Sequence, residues 1–167
     1  SFGEICTGFT LGPTEPWEIG NVIMRSGHGP SAFQAKIGPG APPIRSQYGW
    51  LNIFHGVRST MAGNPYTLGV AFHDLEAPTN PSKLRISAKP LLMPGASDCL
   101  IRENDYVHVP NVVFSCGALT GKDDTVAIYY GGNDTVMNVG LTNIQILNEM
   151  CNIFPLDPLT GKHLYSL

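Results

Sequence analysis

Apolar residues in this chain fall into short runs cut by glycine and proline, without the three-to-four spacing of a long amphipathic helix. Residues 49–56 and 66–75 are rich in aromatic and β-branched side chains and predict two strands. Arg58 to Pro65 is short enough to join them as a hairpin. Strand signals return in the same order at Asn111–Cys116, Thr125–Gly131 and Thr135–Thr142. Asn52-Ile-Phe-His-Gly56 and Ala127-Ile-Tyr-Tyr-Gly131 match in character, and each closes the second strand of its group before a third begins. This is a weak internal repeat.

A small antiparallel sheet per repeat is how the blades of a β-propeller are built. The expected fold is therefore all-β: a partial propeller of roughly two to three blades, fewer than the four that close the smallest common ring. Residues 1–167 would form one C-terminal portion of such a domain, with sheet edges left for a missing segment or another copy to cover. Between the strands, Ser1–Gly29 shows few clear elements, and Gly27–Pro30 reads as a turn. Lys36–Ile44 carries three prolines and two glycines, which bar a regular helix or a central strand, so a shaped loop is expected there. A turn is expected at Ala77–Pro81, a short strand at Lys83–Ser87 and irregular polar chain over Gly95–Tyr106. For Ile144–Met150 helix and strand fit equally well.

Composition narrows the function classes. Charged residues make up 14% of the chain against about 25% in an average protein, and 19 glycines with 14 prolines suit many short strands. A net charge of -3 without a Lys/Arg run offers no track for a nucleic-acid backbone. No apolar stretch approaches the roughly 20 residues of a membrane span. Cys6, Cys99, Cys116 and Cys151 form no CxxC pair, which predicts reduced and mostly buried thiols. No signal peptide is visible and the chain starts without methionine, so an upstream segment is expected to be missing; the expected compartment is the cytoplasm.

Chemistry is sparse. The histidines His28, His55, His73, His108 and His163 have no metal-ligand spacing, and there is no serine-hydrolase elbow, P-loop or dinucleotide fingerprint. No metal or organic cofactor is expected. Lys36 precedes a glycine-rich loop and His55 ends a strand, so each can present a cation or donor to an anion; an ordinary solvated lysine and a structural histidine are the plainer readings. Tyr66 opens a strand and Tyr130 closes one, where a phenol can bond an anion or stack on a sugar, or simply pack. Asp134 follows a glycine turn and can accept bonds from sugar hydroxyls or cap the turn. Asp74, Asp98, Asp105, Asp123, Asp124, Glu76 and Glu103 are carboxylates that nothing in their setting marks as a catalytic acid.

The ordered segments 36–44, 49–57, 66–75, 109–117 and 129–134 resemble glycoside hydrolase family 130, β-mannoside phosphorylases together with some hydrolases, over roughly residues 34–143. The resemblance implies a five-bladed propeller that cleaves β-mannosides with inorganic phosphate as co-substrate and inversion, giving α-mannose 1-phosphate. It implies phosphate-binding roles for Lys36, His55 and Tyr66, and sugar-binding roles for Asp134 and Tyr130. The implied substrates are β-1,4-mannosyl oligosaccharides or mannosylglucose, with hydrolysis, or a non-catalytic sugar-binding or self-assembling module, as alternatives. The family's general acid, an aspartate, and the arginines of its phosphate site come from upstream of anything present here, so half a site, without a catalytic residue, is expected. Asn133 replaces the family's usual small residue, and Ile101–His108 departs from its more compact pattern.

Overall fold

The structure, a computed structural model, describes residues 3–26, 33–87, 89–95 and 109–153. The expected turn at Gly27–Pro30, residues 96–106 of the expected irregular stretch, Ile101–His108 and the side chains of His28, Asp98, Cys99, Glu103, Asp105, His108 and His163 lie outside the described residues. Among those described, ten strands form three antiparallel sheets and one helix follows them.

The first sheet is a hairpin of β1 (Glu4–Phe9) and β2 (Glu18–Arg25), in a region where the sequence shows few clear elements. Its ladder is broken by shifts between Ile5 and Cys6 and between Cys6 and Gly8, so no clean period-two pattern exists to be read.

The second sheet contains β3 (Lys36–Pro39), β4 (Ile44–Ser46), β5 (Gly49–Val57), β6 (Tyr66–His73) and β7 (Arg85–Ile86), in the order β3-β5-β6-β7, with β4 also paired to β5. The expected loop at Lys36–Ile44 is in part an edge strand. β3 pairs with the C-terminal half of β5, from Lys36 opposite Val57 to Pro39 opposite Phe54. β4 pairs with the N-terminal half of the same edge. Residues 40–43, Gly-Ala-Pro-Pro, separate the two, which places Pro42 and Pro43 where a missing N–H costs no ladder bond.

The third sheet has β9 (Thr125–Gly132) between β8 (Val113–Thr120) and β10 (Val136–Asn143). Ile144–Ile153 is a helix, α1. Asn143 starts it, its side-chain oxygen accepting from the Gln145 N–H at 2.8 Å. Ile144, Leu147 and Cys151, spaced three and four apart, face the core and are at most 3% exposed. Tertiary burial, which a seven-residue window does not contain, decides for helix.

The five-stranded sheet is buried on both faces. Leu51, Ile53, Leu68, Val70 and Phe72 pack against Val113, Val126, Ile128 and α1. Phe54, Ala71 and Ile37 pack against Ile5, Ile23, Met24 and Phe33 on the other side. Gly56 and Gly69 keep that second core closed: a Cβ at Gly56 would lie 2.0 Å from the Phe33 ring, and one at Gly69 would lie 2.3 Å from the Phe54 ring. Arg85 ties α1 to the middle sheet, donating to Asn148 Oδ1 at 2.7 Å, Asn152 Oδ1 at 2.9 Å and the Tyr48 carbonyl at 2.7 Å. The face of the third sheet turned away from this packing leaves Tyr129, Met137, Val139 and Leu141 exposed.

Cysteine burial differs from expectation. Cys151 is buried, which pushes its thiol up to about 12, but Cys6 on β1 and Cys116, at a shift in the β8 ladder, are exposed. Cys6 and Cys116 are free thiols, and the Cys151 thiol donates to the Val70 carbonyl at 3.7 Å. No helix among the described residues is long and apolar enough to cross a membrane.

Candidate functional site

Strand register assembles the site. Lys36 on β3 lies opposite Val57 on β5, and Val57 lies opposite Tyr66 on β6, so Lys36 and Tyr66 flank one position of the same face. His55 is two residues from Val57 and shares that face. Its partner across the ladder is Gly38, where a Cβ would come within 2.4 Å of the imidazole. Only glycine at position 38 leaves the ring its place.

The three side chains touch. Lys36 Nζ donates to Tyr66 Oη at 3.3 Å and lies 5.4 Å from the ring centroid. The His55 ring stacks on Tyr66 with centroids 5.8 Å apart, and Phe114 of β8 covers it from another direction at 4.4 Å. Burial lowers the His55 pKa below its ordinary value and the Lys36 charge lowers it further, while the Pro39 backbone pulls less strongly the other way. His55 Nδ1 is buried with no partner at hydrogen-bonding geometry, as is Ser115 Oγ on β8. Such orphans are uncommon, and one beside a lysine in an open cleft suits a site that receives an anionic or polar ligand.

The cleft has a volume of about 720 Å³ and is lined by Lys36, Gly38, His55, Tyr66 and Phe114 on one side and by Glu4, Val109, Val112 and Asp134 elsewhere on its wall. Glu4 is paired with Arg25 at 3.0 Å. Asp134 stands at the turn between β9 and β10, where it and Asn133 both have φ of 50°, a left-handed pair that Asn and Asp tolerate better than most residues. Asn133 secures that turn: its N–H donates to the Val112 carbonyl at 2.8 Å, its carbonyl accepts from the Val109 N–H at 3.2 Å and its side-chain oxygen accepts from the Val112 N–H at 3.3 Å. The departure at Asn133 therefore has a structural use, and it holds Asp134 exposed at the rim of the cleft.

Four of the five residues singled out in the sequence, Lys36, His55, Tyr66 and Asp134, line one cleft. Tyr130 does not. It is 7% exposed and packed in the core with Leu68 and Ile128, because alternation along β9 turns it inward and its neighbour Tyr129 outward. Phe114, Gly38 and Glu4 were not anticipated. Gly38 had a signal in the glycine-rich run; the contact of Phe114 with His55 joins strands far apart in sequence and left none.

The sequence model of a family described as β-1,4-mannooligosaccharide phosphorylase matches residues 15–153. A 1,2-β-oligomannan phosphorylase of Thermoanaerobacter sp. (strain X514) is 39% identical over 112 residues, covering 66% of this chain and 34% of that protein. A 4-O-β-D-mannosyl-D-glucose phosphorylase of Bacteroides fragilis is 36% identical over 129 residues, covering 77% of this chain and 31% of that protein. The chain thus spans about a third of the length of these relatives. Among solved structures, β-1,2-mannobiose phosphorylase from Listeria innocua, in complex with β-1,2-mannobiose, superposes with a TM-score of 0.64 at 27% identity, over 81% of this chain and 35% of that one. With the family match running from β2 through the second and third sheets to α1, and through every residue of the cleft except Glu4, the chain belongs to glycoside hydrolase family 130.

Proposed function

We propose that the chain is part of an inverting β-mannoside phosphorylase, contributing the phosphate-binding side of its active site. The observation that carries this reading is the convergence of Lys36, Tyr66 and the unpartnered His55 Nδ1 in one cleft. Phosphate would be held by charge-assisted bonds from Lys36 and by donors from His55 and Tyr66. One of its oxygens attacks the anomeric carbon from the face opposite the leaving group, the β-glycosidic bond breaks, and the departing sugar oxygen takes a proton. Phosphate is itself the nucleophile, so no protein base is required, and one carboxylic acid suffices where a hydrolase needs two carboxyl groups. By the family resemblance that acid is an aspartate from the N-terminal half of the propeller. Asp134, at the rim, would accept bonds from the hydroxyls of the mannosyl unit. Tyr130 would then act on the sugar only through the packing behind the third sheet.

The three sheets are read as successive blades of a five-bladed propeller, with the exposed apolar side chains Met137, Val139 and Leu141 forming the surface on which a further blade packs. The proposed substrates are β-1,4-mannooligosaccharides or mannosylglucose, supported by the family description and the Bacteroides fragilis relative. The Thermoanaerobacter relative bears the β-1,2 linkage in its name, so the assay should offer both.

The test uses the protein carrying this chain at the length of its relatives, with each disaccharide, with and without phosphate. Sugar phosphate formed only with phosphate present is the expected result. Free mannose released at the same rate without phosphate would overturn the proposal in favour of hydrolysis.

A further inference from the structure

The two faces of the middle sheet carry different chemistry. His55 points to one face of β5, and Asn52, three residues back, points to the other, since side chains alternate along a strand. On that second face the β1–β2 hairpin, the loop 40–43 and the end of β6 enclose a separate groove of about 570 Å³. Asn52 and His73 lie in it, each 6% exposed, with Asn52 Nδ2 3.1 Å from His73 Nε2. The amide nitrogen can only donate, so Nε2 accepts and the ring proton belongs on Nδ1. Burial keeps the ring neutral by lowering its pKa. The other contact of Asn52, to Met24 Sδ at 3.9 Å, again uses the nitrogen, so the amide oxygen remains an acceptor.

Three features define what this groove would accept. Among the described residues no Asp, Glu, Lys or Arg lines it, so an ion held by them would lose its hydration without gaining a countercharge. The Asn52 amide oxygen and the Thr79 hydroxyl, which no bond among the described residues uses, and the Thr7 hydroxyl, which donates to the Asn21 carbonyl but can still accept, offer a neutral polar ligand hydrogen-bonding partners. Trp50 and the exposed Phe9 supply aromatic faces against which the C–H face of a pyranose can pack. The volume lies within the range of small-molecule sites. Pro39 lines both this groove and the phosphate-side cleft, so the two adjoin through one residue.

We infer that the groove between the β1–β2 hairpin and the middle sheet binds a neutral saccharide chain, apart from the anion cleft. That the saccharide is a mannoside rests on the phosphorylase reading; that it is neutral and polyhydroxylated rests on the groove.

Two cysteines allow a test that needs no turnover. Cys6 is an exposed free thiol lining the groove, and Cys116 is an exposed free thiol on β8 that does not line it. Alkylation by iodoacetamide is followed at each cysteine by peptide mass spectrometry while β-1,4-mannotriose is titrated in. At ten times the dissociation constant about a tenth of the molecules remain free, so alkylation of Cys6 should slow about tenfold while Cys116 is unaffected. Inorganic phosphate alone should protect neither. Trp50→Leu should abolish the protection, read as the ratio of that variant's Cys6 rates with and without sugar; if that variant melts early, Phe9→Ser at the exposed rim repeats the test. An unchanged Cys6 rate up to the solubility limit of the sugar, equal protection of both cysteines, or protection by phosphate would each overturn the inference. Protection at Cys6 in a protein that forms no sugar phosphate would keep the groove and remove the phosphorylase reading. Phosphorolysis without Cys6 protection would do the reverse.

Discussion

Lys36→Met separates a phosphate ligand from an ordinary surface lysine. Methionine retains much of the apolar stem that passes Tyr66 and deletes the ammonium that donates to Tyr66 Oη at 3.3 Å. Lys36 is half-buried at the edge of its sheet, so the change should move stability by less than about 0.5 kcal/mol. A hydrogen bond to a charged group contributes about 1.5–3 kcal/mol net. With phosphate as the ligand, its loss should raise the KM for phosphate by about 10- to 150-fold, at about tenfold per 1.4 kcal/mol. The KM for the mannoside should change little. A second signature is independent of turnover: the Lys36 charge holds the His55 pKa down, so the His55 pKa in the variant should rise. Steady-state kinetics with each substrate varied in turn, on protein whose melting temperature matches the parent, reads the first effect, and NMR titration of the His55 ring reads the second. Equal and small changes in both KM values would refute the assignment of Lys36 to phosphate.

Gly38→Ala should displace the His55 ring, since the new Cβ would fall 2.4 Å from it; phosphate KM should rise and the melting temperature should fall, the overpacking costing about 1–3 kcal/mol. Asn133→Ala should cost about 1–2 kcal/mol through the lost bond to the Val112 N–H and the left-handed φ, and Asn133→Gly should recover the backbone share; denaturant midpoints of the two distinguish bond from conformation. His55 and His73 have pKa values lowered by burial, so the folded state binds fewer protons than the unfolded one just below pH 6.5. Their contribution to stability is present above about pH 6.5 and is lost as pH falls through the lowered folded values. Denaturation midpoints at pH 7.5 and 5.5 should drop on acidification, and a flat profile would contradict the buried, neutral state of both rings.

In the second and third sheets β5, β6, β8, β9 and β10 were legible as short apolar runs rich in aromatic and β-branched residues, whereas β3 and the start of β4 lie in a glycine- and proline-rich segment that reads as a loop. Even so, β8 begins two residues later than the expected strand and continues to Thr120, past a ladder shift at Cys116 that no periodicity announces. The β1–β2 hairpin was missed because its register shifts erase the alternation on which the eye relies. Lys36, His55 and Tyr66 could be named individually but not brought together from the sequence: their meeting depends on Lys36 and Tyr66 both pairing with Val57, a register that becomes visible only when β3 is recognised as the edge of β5. Tyr130 takes the packing alternative that its place at the strand end left open. One residue along β9 changes the face, and the pair Tyr129-Tyr130 left open which phenol turns inward.

The most direct test of the phosphate site is its effect on His55. A phosphate dianion at the cleft places negative charge beside an imidazole whose pKa burial and Lys36 hold low, and opposite charge favours the protonated ring. NMR titration of the His55 ring with and without saturating inorganic phosphate should therefore show its pKa rising on binding, with His73, on the other face of the sheet, unaffected. A His55 resonance that phosphate leaves unmoved, in a protein that nonetheless consumes phosphate, would place the anion elsewhere and contradict the account.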